Sequence, residues 1–159
     1  MSHTRIRIRK ATSLLREDHR TIKRLFVECD RLDESDSADL AQVFEELARQ
    51  LLVHSQIEEE IFYPAVERSH DEEAEERVRE AREEHRLVHL LLEELSGMTA
   101  DDEQFFAKLK VLKDNVLHHA EEEEREIFPI FEDLEKEEQD RIAEDLYSRR
   151  NDLMMGEEG

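Results

Sequence analysis

The sequence has little of what makes a chain turn tightly or cross-link. Its 159 residues include 3 Gly, 2 Pro, 1 Cys and no Trp. So few turn formers exclude a β-sandwich or an array of short hairpins. One cysteine, Cys29, excludes an internal disulfide framework and a cysteine-built zinc site. It suits a reducing compartment, and the expected location is cytoplasmic. Positive charge is also scarce, with 23 Lys+Arg against 44 Asp+Glu and a net charge of −21. A phosphate backbone would be repelled, so no nucleic-acid partner is expected. No stretch approaches the roughly 18 uninterrupted apolar residues of a membrane span, and there is no signal-peptide core, so no membrane association is expected. The short basic start, from Arg5 to Lys10, reads as a terminal arm over residues 1–11.

What is present is periodic. Hydrophobic residues make up 38% of the chain, enough for one amphipathic helical core if they recur at helical spacing. Four segments do so. Leu15, His19, Ile22, Phe26 and Cys29 step by three or four, and Leu40, Phe44, Leu47, Leu51, His54, Glu58 and Ile61 form a second stripe. Val78, Ala81, His85, His89, Leu92 and Leu95 form a third, and Phe105, Leu109, Leu112, Val116, His119, Glu123 and Ile127 a fourth. Thr12 or Ser13, the Ser69/Glu72 pair and Thr99 are candidate N-caps, and Ser96-Gly97 a candidate stop. Short connections predict an all-α, up-down-up-down four-helix bundle over residues 12–132. A short additional helix, Lys136 to Arg150, and a tail fill 133–159, packed on the outside or serving as an oligomer contact.

The two halves repeat. His19 and His85 are 66 residues apart, while His54 and His119, like Pro64 and Pro129, are 65 apart. A site built between the halves is therefore expected to be roughly two-fold symmetric.

Polar residues fall on the apolar stripes themselves: His19, His54, Glu58, His85, His89, His119 and Glu123. An unpaired polar side chain in a core costs about 1–3 kcal/mol, and a bare carboxylate more. Six or seven together would overwhelm a domain whose net stability is roughly 5–15 kcal/mol. Imidazole with carboxylate is the ligand set of a borderline transition metal, rather than of Ca²⁺ or Mg²⁺. His54/Glu58, His119/Glu123 and His85/His89 are each spaced i, i+4, one turn apart on one face. Seven ligands exceed the capacity of one ion, so two ions are implied; ligand chemistry alone admits iron, zinc or manganese. His118 lies about 100° around its helix from His119 and reads as a packed or supporting group.

The order His19, His54-x-x-x-Glu58, His85, His119-x-x-x-Glu123, with Pro ten residues after each paired histidine, resembles the hemerythrin-like (HHE cation-binding) family. The resemblance spans about residues 12–132. It implies two Fe ions with an oxo or hydroxo bridge. Carried over, the four histidines are terminal ligands, Glu58 and Glu123 are bridging carboxylates, and His89 is the fifth imidazole of the oxygen carriers. The carriers space their second carboxylate as His-x-x-x-x-Asp, and Glu124 stands at that spacing here. The implied function is binding or sensing of O₂ or another small diatomic. The alternative is a di-iron enzyme handling NO, peroxide or iron. A metal-free helical interaction module is the third reading, and no protein partner is indicated.

Overall fold

The computed structural model describes residues 10–156, so the expected basic arm before Lys10 and the last three residues lie outside the described part. The described residues are helical, with no strand among them. In chain order the helices are α1 (Ala11–Asp30), α2 (Ser37–Ile57), α3 (Tyr63–Glu67), α4 (Glu72–Ser96), α5 (Phe105–Glu122), α6 (Phe128–Glu132) and α7 (Lys136–Gly156). The long helices α1, α2, α4 and α5 carry the four stripes. α1 packs on α2, and α4 on α5.

The helix ends differ from the expected caps. α1 starts at Ala11 after an extended Lys10, with no side-chain cap. Asp71 caps α4 in place of Ser69, accepting from the N–H groups of Glu73 at 2.9 Å and Ala74 at 3.2 Å. A carboxylate there also faces the positive end of the helix dipole. α5 starts only at Phe105, and Thr99 pairs with Asp101 in the preceding loop. Ser96 ends α4 as expected, with Gly97 following it.

α2 runs into α3, and α5 into α6, each through one π-helical turn: Glu58–Phe62 and Glu123–Ile127. Pro64 and Pro129 sit near the start of the continuing helices. A proline has no N–H to return to the carbonyl four residues back, and its ring crowds that carbonyl. Widening the preceding turn relieves both problems. The Tyr63 N–H then reaches the Glu58 carbonyl, and the Phe128 N–H that of Glu123. Such turns concentrate at functional sites.

α7 is not short. It spans 21 residues, as long as α2, and packs against α1, α2 and the first π turn. Its buried side chains are Ile142, Ala143 and Leu146. The apolar core falls into two clusters. One gathers Leu15, Ile57, Phe62, Tyr63, Phe128 and the buried face of α7. The other gathers Ile22, Phe26, Leu47, Leu92 and Leu112. The stripe histidines belong to neither cluster.

Candidate metal centre

Each long helix delivers one imidazole to the interior: His19 from α1, His54 from α2, His85 from α4 and His119 from α5. The two π turns deliver Glu58 and Glu123, 0% and 1% exposed. The ligand atoms of His19, His54, Glu58 and Glu123 lie within 4.8 Å of one another, and so do those of Glu58, His85, His119 and Glu123. Two four-residue groups thus share both carboxylates. The Nε2 atoms of His54 and His85 each stand 3.2 Å from Glu58 Oε1. His19 Nε2 is 3.2 Å from Glu123 Oε1, and His119 Nε2 is 3.5 Å from Glu123 Oε2.

The opposite edge of every ring is held by a carboxylate. His19 Nδ1 lies 2.7 Å from Glu124, His54 Nδ1 2.9 Å from Asp18, His85 Nδ1 2.9 Å from Glu59 and His119 Nδ1 2.8 Å from Glu84. An Nδ1–H donated outward fixes the tautomer and turns the Nε2 lone pair inward, as metal-ligating histidines require. Glu124 therefore supports His19 and is not a member of either group. The four supporting carboxylates obey the same 65- or 66-residue repeat as the histidines.

Tyr63 completes the site, and the sequence reading missed it. Its ring is fully buried, and its Oη lies 2.5 Å from Glu123 Oε2 and 3.3 Å from Glu58 Oε1. The same oxygen is 3.3 Å from His85 Nε2 and 3.4 Å from His119 Nε2. On an undistorted α-helix a residue five positions after Glu58 points about 140° away from it. The π turn brings Tyr63 back onto the face of Glu58. Its repeat counterpart, Phe128, stacks parallel to His19 at 6.0 Å.

His89, the expected seventh ligand, is in neither group. Val88 takes the more buried place, at 5% exposed, while His89 is half-buried. The phenol of Tyr63 stands beside His85 and His119, where His89 was expected. His118 is a surface residue paired with Glu122 at 3.1 Å, not a packed one. Phe62 and Ile127 are buried in one apolar cluster, and Phe26 and Leu92 in the other.

The electrostatics are those of a site in which protons and cations compete. Burial pulls His119 down, but Glu123 and Glu84 outweigh it and hold the imidazole at about 10. Burial likewise opposes the charged form of His54, yet Glu58 and Asp18 keep it well above the ordinary histidine value. His19 and His85 are raised against burial by their paired carboxylates. Burial disfavours the Glu123 carboxylate, but Glu58, His119 and His19 hold it well below the usual range. Burial, reinforced by Glu123 and Glu58, pushes the Tyr63 phenol up.

A metal pair fits these residues. Among the described residues six buried side-chain atoms lack a hydrogen bond: His89 Nε2 and Tyr147 Oη outside the cluster, and His19 Nε2, His54 Nε2, Glu58 Oε2 and Glu123 Oε1 within it. These last four are lone-pair donors of the right type. The model of the hemerythrin HHE cation binding domain matches residues 10–131. The chain belongs to this family. Among relatives of the hemerythrin-like chain is an uncharacterized hemerythrin-like protein of Schizosaccharomyces pombe, 29% identical over 116 residues, covering 73% of this chain and 56% of that one. A DNA nickase of Nostoc is 25% identical over 141 residues, covering 88% of this chain and 39% of that one. The chain spans about half, or less, of the length of these curated relatives. The crystal structure of a hemerythrin HHE cation binding domain-containing protein from Mycobacterium kansasii is similar at 25% identity and a TM-score of 0.79, covering 91% of this chain and 87% of that one. Among the described residues no helix is long and apolar enough to cross a membrane.

Proposed function

We propose that this chain is a non-heme di-iron protein that binds or senses O₂ or another small diatomic. The observation that carries the reading is the pair of four-residue groups sharing Glu58 and Glu123, every imidazole having its Nδ1 against a carboxylate. His19 and His54 would hold one ion, His85, His119 and Tyr63 the other, and the two glutamates would bridge. The iron pair, when bound, supplies two electrons and an open coordination position.

The chain's own residues do the rest. The outer carboxylates orient each imidazole and keep its inner nitrogen free. Phe62, Phe128 and Ile127 exclude water, which keeps reactive species from leaking away. Before an ion binds, Tyr63 holds a proton at Oη against Glu123, and it would give that proton up on becoming a ligand.

The second reading is a di-iron enzyme processing peroxide, NO or iron; Tyr63 favours it, because a phenol oxygen beside His85 and His119 would take up a position that a reversible carrier leaves open. The nicking named for the Nostoc protein finds no support in a net charge of −21.

Anaerobic loading with ferrous iron, followed by metal counting, tests the proposal. Two irons per chain are expected, and a count that stays at zero or at one overturns it. On exposure to O₂, a stable, reversible oxy spectrum supports the binding reading, and rapid autoxidation with turnover of peroxide supports the enzymatic one.

A further inference from the structure

We propose that Arg150, brought in by α7, makes the two metal positions unequal, so that the His19/His54 position holds the ion of lower charge and the His85/His119 position the ion of higher charge. This rests on the di-iron reading above. The starting point is a broken repeat. Asp18 and Glu84 are equivalent residues, 66 apart, and each lies against the Nδ1 of its histidine. Their surroundings differ. The Asp18 side chain is 3% exposed, and Arg150 grips its Oδ1 with Nη2 at 2.8 Å and Nε at 3.1 Å. That leaves Oδ2 for His54. The Glu84 side chain is one-third exposed, and among the described residues no Lys or Arg pairs with it. Among the described residues α7 packs against α1, α2 and the first π turn, on the side of Asp18.

The other arginines near the site are equivalent and offset much of each other's effect. Arg16 lies over Phe128 and reaches Glu124 at 3.4 Å. Its counterpart Arg82 lies over Tyr63 and turns to Glu67 at 2.7 Å, so it acts on Glu59 without bonding to it. The small residual difference has the same sense as that of Arg150.

The chemistry follows from how a supporting carboxylate tunes an imidazole. A carboxylate that accepts the Nδ1 proton pushes electron density toward Nε2 and raises its basicity. A guanidinium bound to that carboxylate withdraws part of the density. His54 is therefore the poorer donor and His119 the richer one. Only the second position has a phenol beside it, and phenolate is a hard donor that prefers ferric over ferrous iron. The ferric ion should be the last to be reduced at the His85/His119 position. Arg150 is a positioning residue in this scheme, since it acts through Asp18 and His54.

The test is a potentiometric titration of the iron-loaded full chain, followed by electron paramagnetic resonance of the one-electron-reduced state and by iron counting. Two resolved one-electron steps are expected. Arg150→Gln should lower the upper step, with the constant for forming the mixed-valence state falling about tenfold, or about 59 mV for one electron. Arg150→Lys keeps the charge and should keep both steps. Glu84→Gln should raise the lower step and narrow the gap from the other side. This last variant decides the matter if Arg150→Gln does not fold. Two irons with both steps unmoved in Arg150→Gln, or with the lower step unmoved in Glu84→Gln, overturn the inference alone. Fewer than two irons in the unaltered chain overturn the di-iron reading and the inference with it.

Discussion

Each half of the repeat places two imidazoles and one carboxylate at the centre and buries them alike, yet backs them differently. In the first half Leu14, Leu15 and Ile57 pack against Ile142, Ala143 and Leu146 of α7. The equivalent residues of the second half are Glu80, Ala81 and Glu122. Together with Arg77, Glu84 and Glu126 they line a surface crevice that reaches His119 and Glu123. One flank of the centre is sealed by the hydrocarbon of α7, and the other is faced by charged side chains around a crevice of only about 10 Å³. Symmetry therefore governs the groups that face the ions, while the chain is free to differ behind them. Asp18 is buried because α7 supplies an arginine for it. Glu84 stays at the surface because it has none.

The comparison can be broken most severely by exchanging mirror residues. Ile57→Glu puts a carboxylate under α7 without a partner and should cost more than about 4 kcal/mol, enough to unfold a marginal domain. Glu122→Ile, the reverse exchange, should change stability by no more than about 1 kcal/mol. Urea denaturation of the metal-free variants checks both, and equal costs would refute the sealed-flank account. Leu146→Ala should cost about 2–5 kcal/mol through the cavity it leaves in the same seal. Leu153→Ala, half-buried on the same helix, should cost well under that.

At the centre, His54→Ala and His119→Ala should each lower iron from two to about one per chain, measured by metal analysis. His89→Ala and His70→Ala should leave it at two. Tyr63→Phe makes the first half resemble the second, where Phe128 stands. It should keep iron but remove the visible phenolate-to-iron absorption of the ferric form.

The pH dependence is the mildest test. A raised imidazole value stabilises the metal-free fold fully below the unfolded value of 6.5, and His119 loses that contribution as pH rises through about 10. Glu123, held low, contributes above its ordinary value of 4.5 and loses its part as pH falls. Metal-free stability should therefore decline at both ends. Because the imidazoles are protonated at neutral pH, iron loading should release protons into a weakly buffered solution, and affinity should climb with pH.

Much of this was legible in the sequence, and the exceptions have physical causes. The four long helices and the six convergent groups follow from a 3.6-residue period, which places stripe positions indoors. Tyr63 was hidden because the π turn breaks that period after Glu58. His89 shares a turn with Val88, and a stripe cannot say how deep each of two neighbours lies; Val88 joins the apolar core, and His89 is half-buried outside both ligand groups. The supporting carboxylates Glu59, Glu84 and Glu124 lie within acidic runs, where register alone separates them from solvated neighbours. Asp18 lies beside His19 but serves His54 on another helix, a pairing that only tertiary packing reveals. The reach of α7 was underestimated because its apolar positions are sparse, and its role depends on Arg150 as much as on Leu146.

The central claim is that two ions share Glu58 and Glu123 between four imidazoles. A crystal structure of the iron-loaded chain, with anomalous scattering measured at the iron edge, tests it most directly. The account predicts two anomalous peaks, one beside His19 and His54, the other beside His85, His119 and Tyr63, with both glutamates between them. A single peak, or iron bound at surface pairs such as His118 and Glu122 while the interior holds none, would contradict it.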